Sequence, residues 1–395
     1  MMKKIALYIA SVFLLVSCSD YFGDKTDLDF IEPPEFDARQ AAYVPIQPAL
    51  TNFVKPVDIV AGFDQLMYVV DEGSEEIISF DYSGRELSRL SVPGVTEVVQ
   101  DRRLNLLALG KTDTTIQDST YTLPCIYRIE LGGAGNYGLQ FGQITNKIVH
   151  PFYYKSVFSK SDAIDVKFTG IAIADVNEFY VTRTGPKNNN ESSILPPDDA
   201  VLRFNEDDEF VTPINVTTSQ GLFRNYFKQP SSVTSLVRPP QIEATASRDF
   251  MVTLADPNES VKFRFIRYNE SANGISYTPA STSRDTSKAN SFITDVDKFI
   301  DPTDVTTTGD GSNFIFVTDA GTDSLYQFTR EGYEGVRPPP GSNETKYIKT
   351  SFGGTGNAPT EFNNPMGVAY ADEILYVADA DNGRVLRFKL TLDFD

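Results

Sequence analysis

The sequence predicts an all-β fold, a six-bladed β-propeller of four-stranded antiparallel blades. The prediction rests on a repeat with an aromatic residue, an aspartate three positions later, and then an aliphatic residue and a phenylalanine at six and nine positions after the aspartate. Three gapless copies keep these offsets, with their aspartates at Asp71, Asp319 and Asp379. Each copy follows a Pro-x-Asp/Gly-Ile/Val segment that begins at Pro56, Pro302 or Pro365. Recurrence of a motif at a spacing of tens of residues is typical of repeat architectures.

The first repeat shows what each unit contains. Residues 58–61 and 66–70 are β-prone runs separated by a polar turn, which predicts a hairpin. A second turn leads to residues 77–80, and a Ser-Gly turn leads to residues 87–92. Four antiparallel strands in a unit of about 40 residues are the pattern of a propeller blade.

The remaining blades are weaker copies of the same pattern. Six blades are predicted, starting near residues 56, 95, 168, 231, 302 and 365, and residues 210–216 and 346–352 are expected as outer strands. The last blade is one strand short, because only five residues follow residue 390. Since an open ring would leave unpaired backbone groups, residues 42–53 are predicted to complete the sixth blade and close the ring.

These motifs resemble the NHL repeat, most closely in the final blade. The resemblance covers roughly residues 42–395 and rests on the Pro-x-Gly-Val, Tyr-Val-Ala-Asp and Asn-x-Arg-Val series there. NHL-type propellers include binding modules, scaffolds and some enzymes. The resemblance therefore implies the fold and leaves the activity open.

The N-terminal segment predicts export and lipid attachment. Residues 1–17 have two lysines, an apolar run and a small-residue cleavage region, as in a signal peptide. The sequence Leu-Val-Ser-Cys ending at Cys18 resembles a bacterial lipobox, in which the cysteine thiol receives diacylglycerol and fatty-acyl chains such as palmitate anchor the protein. The alternative is an ordinary signal peptide with an incidental cysteine. Polar residues 18–41 are expected to form a tether, and the location expected is the bacterial outer membrane, with surface exposure favoured slightly over a periplasmic orientation.

Composition narrows the partners and the chemistry. The formal net charge is −19 and no basic patch is evident, which argues against nucleic acid and against charge-driven binding to anionic lipid. The single histidine, His150, excludes a multi-histidine zinc site, and no nucleophile elbow or phosphate-binding loop motif is present. No cofactor is predicted. Calcium stays possible because carboxylates and carbonyls can ligate it without histidine.

The candidate binding face consists of repeat positions expected at one end of the ring. An inner strand starts where the second strand ends, so residues at these two positions should share one side of the ring; they are Asp58, Asp71, Asp304, Asp319 and Asp379. Such carboxylates could hold calcium or attract a cationic partner, but aspartate is also favoured in tight turns, where it accepts turn N–H bonds. Arg183 takes the place of aspartate in the third blade, so it belongs to the same candidate binding face with the opposite charge. With the insert at residues 185–199 that follows it, it marks the most individual surface, where function could reside.

Two classes of function follow from these observations. The first is a lipid-anchored, non-catalytic propeller that binds or scaffolds an envelope protein, a small molecule or a glycan, as an accessory to an outer-membrane nutrient uptake system. The second is a calcium-dependent hydrolase or lyase that uses channel carboxylates. A purely structural envelope protein is a third possibility. The thin stock of acid and base groups favours a protein that is not an enzyme.

Overall fold

The structure is a computed structural model that describes residues 41–116, 118–133, 135–151, 164–188, 197–244, 248–272, 274–340 and 342–393. The predicted signal peptide, Cys18 and nearly all of the tether lie outside the described residues, as does the middle of the insert. Within the described ranges, no helix is long and apolar enough to cross a bilayer.

Six sheets form the blades, in chain order, and all their strand pairs are antiparallel except the one that pairs Val216 with Tyr277 in the fourth. The chain begins with β1 (Tyr43–Leu50). Blade 1 contains β2 (Pro56–Ala61), β3 (Leu66–Asp71), β4 (Glu76–Asp81) and β5 (Glu86–Ser91). Blade 2 and the short hairpin within it contain β6 (Glu97–Gln100), β7 (Leu106–Ile116), β8 (Ser119–Glu130), β9 (Gly132–Gly133), β10 (Asn136–Tyr137) and β11 (Gln143–Val149). Blade 3 contains β12 (Lys167–Ile173), β13 (Phe179–Thr184), β14 (Ala200–Phe204) and β15 (Phe210–Pro213).

The fourth blade carries two additional strands at its outer edge. Its sheet contains β16 (Val216–Thr218), β17 (Gly221–Phe223), β18 (Pro230–Ser235), β19 (Phe250–Leu254), β20 (Phe263–Ser271) and β21 (Gly274–Pro279). Blade 5 contains β22 (Pro302–Thr307), β23 (Ile315–Asp319), β24 (Ser324–Phe328) and β25 (Phe352–Gly353). Blade 6 contains β26 (Pro365–Ala371), β27 (Ile374–Asp379) and β28 (Arg384–Leu390). Short 3₁₀ turns span Leu139–Phe141, Ala380–Asn382 and Thr391–Asp393.

The predicted clasp closes the ring. Strand β1 pairs antiparallel with β28, with Tyr43 opposite Leu390 and Leu50 opposite Val385. The first described strand therefore supplies the fourth strand of the last blade, and the free edge expected of a three-stranded blade is removed.

The hydrophobic core lies between the blades. Each pair of neighbouring blades, including the sixth and the first, shares one cluster of buried apolar side chains. The repeated aromatic three positions before the aspartate belongs to these clusters: Tyr68, Phe316 and Tyr376 are all at most 1% exposed. Because every cluster needs side chains from two blades, a single blade cannot bury its own apolar faces.

Two predicted outer strands differ from the structure. The run predicted at residues 210–216 is divided, since β15 ends at Pro213 in blade 3 and Val216 starts a strand of blade 4. Proline interrupts the ladder because it has no N–H to donate. Of the run predicted at residues 346–352, only Phe352 pairs with blade 5, and Ile348 instead bridges Val336.

Candidate functional site

The ring has two faces, which the direction of the inner strands defines. We call the end where the inner strands begin, marked by Pro56, Pro302 and Pro365, the entry face, and the opposite end the hairpin face. The register pairs Pro56 with Asp71 and Pro302 with Asp319, which places the predicted binding residues at the entry face. The structure then separates them into two groups with different surroundings.

The aspartates that end second strands are buried and hold turns together. Asp71 is 0% exposed, and its carboxylate accepts hydrogen bonds from the N–H groups of Val54 and Lys55 at 2.9 and 2.7 Å. Asp319 receives the equivalent pair of bonds in blade 5, and Asp379 accepts one backbone bond and one from an arginine in blade 6. These carboxylates organise the approach to each inner strand, which is the turn role of aspartate considered in the sequence analysis.

Arg183 holds the ends of the insert. It is 2% exposed, and its guanidinium donates to the carbonyl oxygens of Pro197 and Asp198 at 2.7 and 2.9 Å. His150 is buried nearby, where burial and the Arg183 charge lower its pKa to about 3. The imidazole is therefore buried and neutral at physiological pH.

Asp58 and Asp304 belong instead to the central channel. A register shift after Pro56 and after Pro302 accompanies this change in surroundings, and the same shift occurs in blades 3, 4 and 6. Side chains on a strand alternate between its two sides. The residues that begin the channel wall, one from each inner strand, are Asp58, Glu97, Gly170, Ser232, Asp304 and Gly367. We call this set the floor of the channel.

The floor carboxylates connect neighbouring blades. Asp58 accepts hydrogen bonds from the N–H of Ile59 in its own strand and from the N–H of Val98 in blade 2, at 2.7 and 2.8 Å. Asp304 likewise bonds the N–H of Val368 in blade 6 at 2.8 Å, and it accepts the hydroxyl of Ser232 from blade 4. A carboxylate at this position therefore fixes the spacing between inner strands.

Glu97 adds a third carboxyl that the sequence analysis did not identify. Burial, followed by repulsion from Asp304, raises the pKa of Asp58 to about 8. The pKa of Glu97 is raised by burial and then by the charges of Asp58 and Asp304, and burial raises that of Asp304. The Glu97 carboxyl hydrogen bonds to Asp58. The signal that could have found it is the recurrence of an acid before a β-branched residue at Asp58, Glu97 and Asp304.

Glycines at the floor allow the strands to approach closely. A Cβ at Gly367 would lie 2.7 Å from the Cα of Asp58, and one at Gly170 would lie 2.9 Å from the Cα of Ser232. Both obstacles are backbone atoms of the next blade, so neither can move aside as a side chain could. The glycine in the Pro-x-Gly-Val motif is thus required by the packing of inner strands.

Above the floor is a cavity of about 600 Å³, lined by all six inner strands. Turn residues of the hairpin face, including Phe63, Gln65, Gln241 and Gly309, also line it. The turn residues of the entry face around Asp71 and Asp319 do not. The mouth therefore opens on the hairpin face, opposite the candidate binding face that the sequence predicted.

The second tier of the wall is polar on one side and apolar on the other. Two positions beyond the floor, the inner strands of blades 4 and 5 present Thr234 and Thr306, and the other four blades present valine or alanine. Thr307 adds a third hydroxyl on the polar side. Among the described residues, none of these three hydroxyls has a hydrogen-bond partner in the protein, although none is fully exposed.

The mouth of the cavity has a hydrogen-bond network around Asp64 and two tyrosines whose hydroxyls bond to no described residue. Asp64 in the β2–β3 turn accepts hydrogen bonds from Tyr68, Gln100 and Tyr137, and this holds one side of the rim in place. Tyr82 is half-buried, lines the cavity and has no hydrogen bond to a described residue.

A second tyrosine lies elsewhere on the rim. Tyr370 stacks on Phe316 with ring centroids 5.7 Å apart and an interplanar angle of 17°. Carboxylates lie near both tyrosines. Burial and then the charges of Asp64 and Asp372 raise the pKa of Tyr82. Burial and then the charge of Asp310 raise the pKa of Tyr370.

The described lining of the cavity is neutral or acidic. No lysine, arginine or histidine occurs among its described lining residues. Within the described parts of the chain, no group of three or more His, Cys, Asp or Glu side chains has the geometry to hold a metal ion. What the channel presents is a floor of carboxyls with raised pKa values and a wall of threonine hydroxyls and aliphatic side chains.

Comparisons with known proteins support the fold. No protein-family model and no curated protein matches the chain. The resemblance to the NHL repeat therefore rests on the sequence motifs alone. Solved structures do match: a protein of unknown function from Bacteroides thetaiotaomicron has a TM-score of 0.50 at 10% identity, over 90% of this chain and 74% of its own. An auxiliary nutrient binding protein from Bacteroides ovatus has a TM-score of 0.50 at 10% identity, over 89% and 77%. Virginiamycin B lyase from Staphylococcus aureus gives 0.44 at 12%, over 88% and 99%. The chain is a six-bladed β-propeller.

Proposed function

We propose that this protein is a lipid-anchored, non-catalytic binding propeller of the bacterial cell envelope, accessory to a nutrient uptake system. The observation that carries the proposal is the use of the channel carboxyls. The carboxylates of Asp58 and Asp304 accept hydrogen bonds from backbone N–H groups of adjacent blades, and the Glu97 carboxyl is hydrogen-bonded to Asp58. These groups hold the ring together, because Asp58 and Asp304 are each bonded to the inner strand of a neighbouring blade. The Ser232 hydroxyl beside them donates to Asp304, and the described lining of the cavity contains no lysine, arginine or histidine.

The path of the chain supports an accessory role at a membrane. Because β1 runs antiparallel to β28, residues 41 and 42 reach the ring at the hairpin face, where the cavity opens. A tether from Cys18 would thus join the ring on the side of the channel mouth. An anchor on that side favours exchange of ligand with a partner in the same membrane. The similar fold of a nutrient binding protein agrees with this role without establishing it.

A calcium-dependent hydrolase or lyase is the second candidate, and the three floor carboxyls are the observation in its favour. Carboxylate oxygens are the ligands that calcium prefers. However, a cation at the floor would compete with the backbone N–H groups that already occupy Asp58 and Asp304.

The test is isolation of the full lipoprotein from its native membrane in mild detergent, followed by identification of copurified proteins and an activity screen with and without calcium. We expect an outer-membrane importer to copurify and no turnover. Calcium-dependent turnover that is lost in Asp58→Asn and Asp304→Asn would overturn the proposal and favour the enzyme. A stable complex with envelope proteins that contains no importer would favour a structural role.

A further inference from the structure

We infer that the channel mouth binds an uncharged, polyhydroxylated ligand, such as the terminal residues of a neutral glycan. The inference rests on the proposed function and names the ligand class of that site. It is carried by the arrangement of the cavity wall, in which unpartnered hydroxyls, an apolar wall and aromatic rings surround one space.

The hydroxyls of the polar side are available to a ligand. Thr234 and Thr306 lie at equivalent positions on adjacent inner strands, with Thr307 next along the chain. Other hydroxyls of the same strands are occupied: Ser235 donates to a backbone carbonyl, and Ser232 donates to a floor carboxylate. Threonine hydroxyls both donate and accept, so a row of them matches the hydroxyls of a sugar ring.

The opposite wall and the rim suit the carbon faces of such a ring. Val60 and Val99, in blades 1 and 2, provide aliphatic surface across the cavity from the threonines, and Ala369 adds to it beside Thr306. Tyr82 and Tyr370 provide aromatic faces at the mouth, and neither hydroxyl is bonded to a described residue. A pyranose has polar edges and apolar faces, and an amphipathic cavity of this kind can satisfy both.

The charges around the cavity exclude anionic ligands. The floor has three carboxyl groups, the rim has carboxylates near both tyrosines, and no described cationic side chain lines the space between them. A carboxylate or phosphate on the ligand would have no cationic partner in the cavity, and the rim carboxylates would repel it. The floor carboxyls of Asp58 and Asp304 also accept hydrogen bonds from backbone N–H groups of neighbouring strands, which satisfy them without a cation.

The volume fits a ligand of this class. About 600 Å³ lies in the range of pockets that enclose small organic ligands, and the opening at the hairpin face would let a longer chain extend outward. The site is therefore suited to one or two sugar residues at the end of a chain.

The experiment measures binding by isothermal titration calorimetry to the full lipoprotein in a polyoxyethylene detergent, because glycosidic detergents would compete. The neutral probes are maltose, cellobiose, lactose, mannobiose and xylobiose, and the charged probes are digalacturonic acid and a glucosamine disaccharide. We expect at least one neutral probe to bind and the charged probes to bind more than about tenfold more weakly. Binding of a charged probe as tightly as any neutral one overturns the inference, as does the absence of neutral binding up to about 10 mM.

Variants locate the site. Thr306→Val keeps the shape and removes one hydroxyl, and we expect it to weaken binding by about threefold to tenfold, whereas Thr217→Val on an exposed outer strand should leave it unchanged. Tyr82→Leu should weaken binding by a similar factor, and Tyr82→Phe should restore it because the ring is kept. Neutral sugar binding that neither Thr306→Val nor Tyr82→Leu alters would contradict the channel site.

The outcome is separable from that of the proposed function. Copurification of an importer without sugar binding would refute the ligand class alone. Hydrolysis of a bound probe would support the ligand class and refute the non-catalytic role.

Discussion

The floor of the channel should make the protein less stable as the pH rises, and Glu97→Gln tests this directly. Burial raises the pKa of Glu97 above its ordinary range, and Asp58 titrates at about 8 in the same cluster. The folded protein therefore keeps protons that the unfolded chain releases. Stability from these groups is fully present below about pH 4 and is lost as the pH rises through their folded pKa values.

The magnitude follows from proton linkage. Each retained proton lowers the free energy of unfolding by about 1.4 kcal/mol per pH unit, so one proton held between about pH 5 and pH 8 is worth at most roughly 4 kcal/mol. Glutamine has the shape of protonated glutamate and can donate to Asp58 as Glu97 does. Glu97→Gln should raise stability by about 1–3 kcal/mol at pH 8 and change it by less than about 1 kcal/mol at pH 5.

The assay is denaturant unfolding at both pH values, with thermal unfolding as a second measure. Glu206→Gln is the matched control, because this side chain is 57% exposed and should have little effect at either pH. Asp304→Asn should instead destabilise at both values, because it disrupts bonds to Val368 and Ser232. If Glu97→Gln destabilised the protein equally at both pH values, the carboxyl cluster would not be protonated as argued.

Three further predictions concern the ring and its anchor. Gly367→Ala should destabilise the propeller by more than about 2 kcal/mol, measured by denaturant unfolding, because its Cβ would meet the backbone of the next blade, whereas Gly311→Ala has open space and should change stability little; equal effects would contradict the close approach. Deleting residues 43–50 should lower the melting temperature severely, and deleting residues 20–40 should barely change it; similar small losses would contradict the clasp. Cys18→Ala should abolish incorporation of labelled fatty acid, and a variant that kept the label would refute the lipobox.

The fold was accessible to sequence reasoning because its determinants are local and repeated. An aromatic residue, a turn aspartate, an aliphatic residue and a phenylalanine recur at fixed offsets, and each recurrence specifies the same hairpins. The missing strand of blade 6 could also be anticipated, because counting strands shows an edge that a ring must close. Outer strands were less predictable, as residues 210–216 and 346–352 illustrate, because their pairing depends on the neighbours available at the rim of each blade.

The site was less accessible because it is assembled from positions distant in the chain. The sequence placed Asp58 and Asp71 at one end of the ring, but could not show that Asp58 faces the channel while Asp71 is enclosed in a turn. A register shift of one residue in β2, between Pro56 and Asp58, accompanies the difference. Glu97 was not predicted, because the Pro-x-Asp motif that precedes Ile59 and Val305 is absent from the inner strand of blade 2.

The sequence by itself determined the class of fold, the number of blades, the strand that closes the ring and the excess of negative charge, since these follow from local pattern and composition. Only the tertiary structure decided which residues meet at the centre. Closure brings together six inner strands, so that Asp58 and Asp304 share a floor and Thr234 and Thr306 share a wall. These side chains are far apart along the chain, and it is the geometry of the ring that makes one cavity of them.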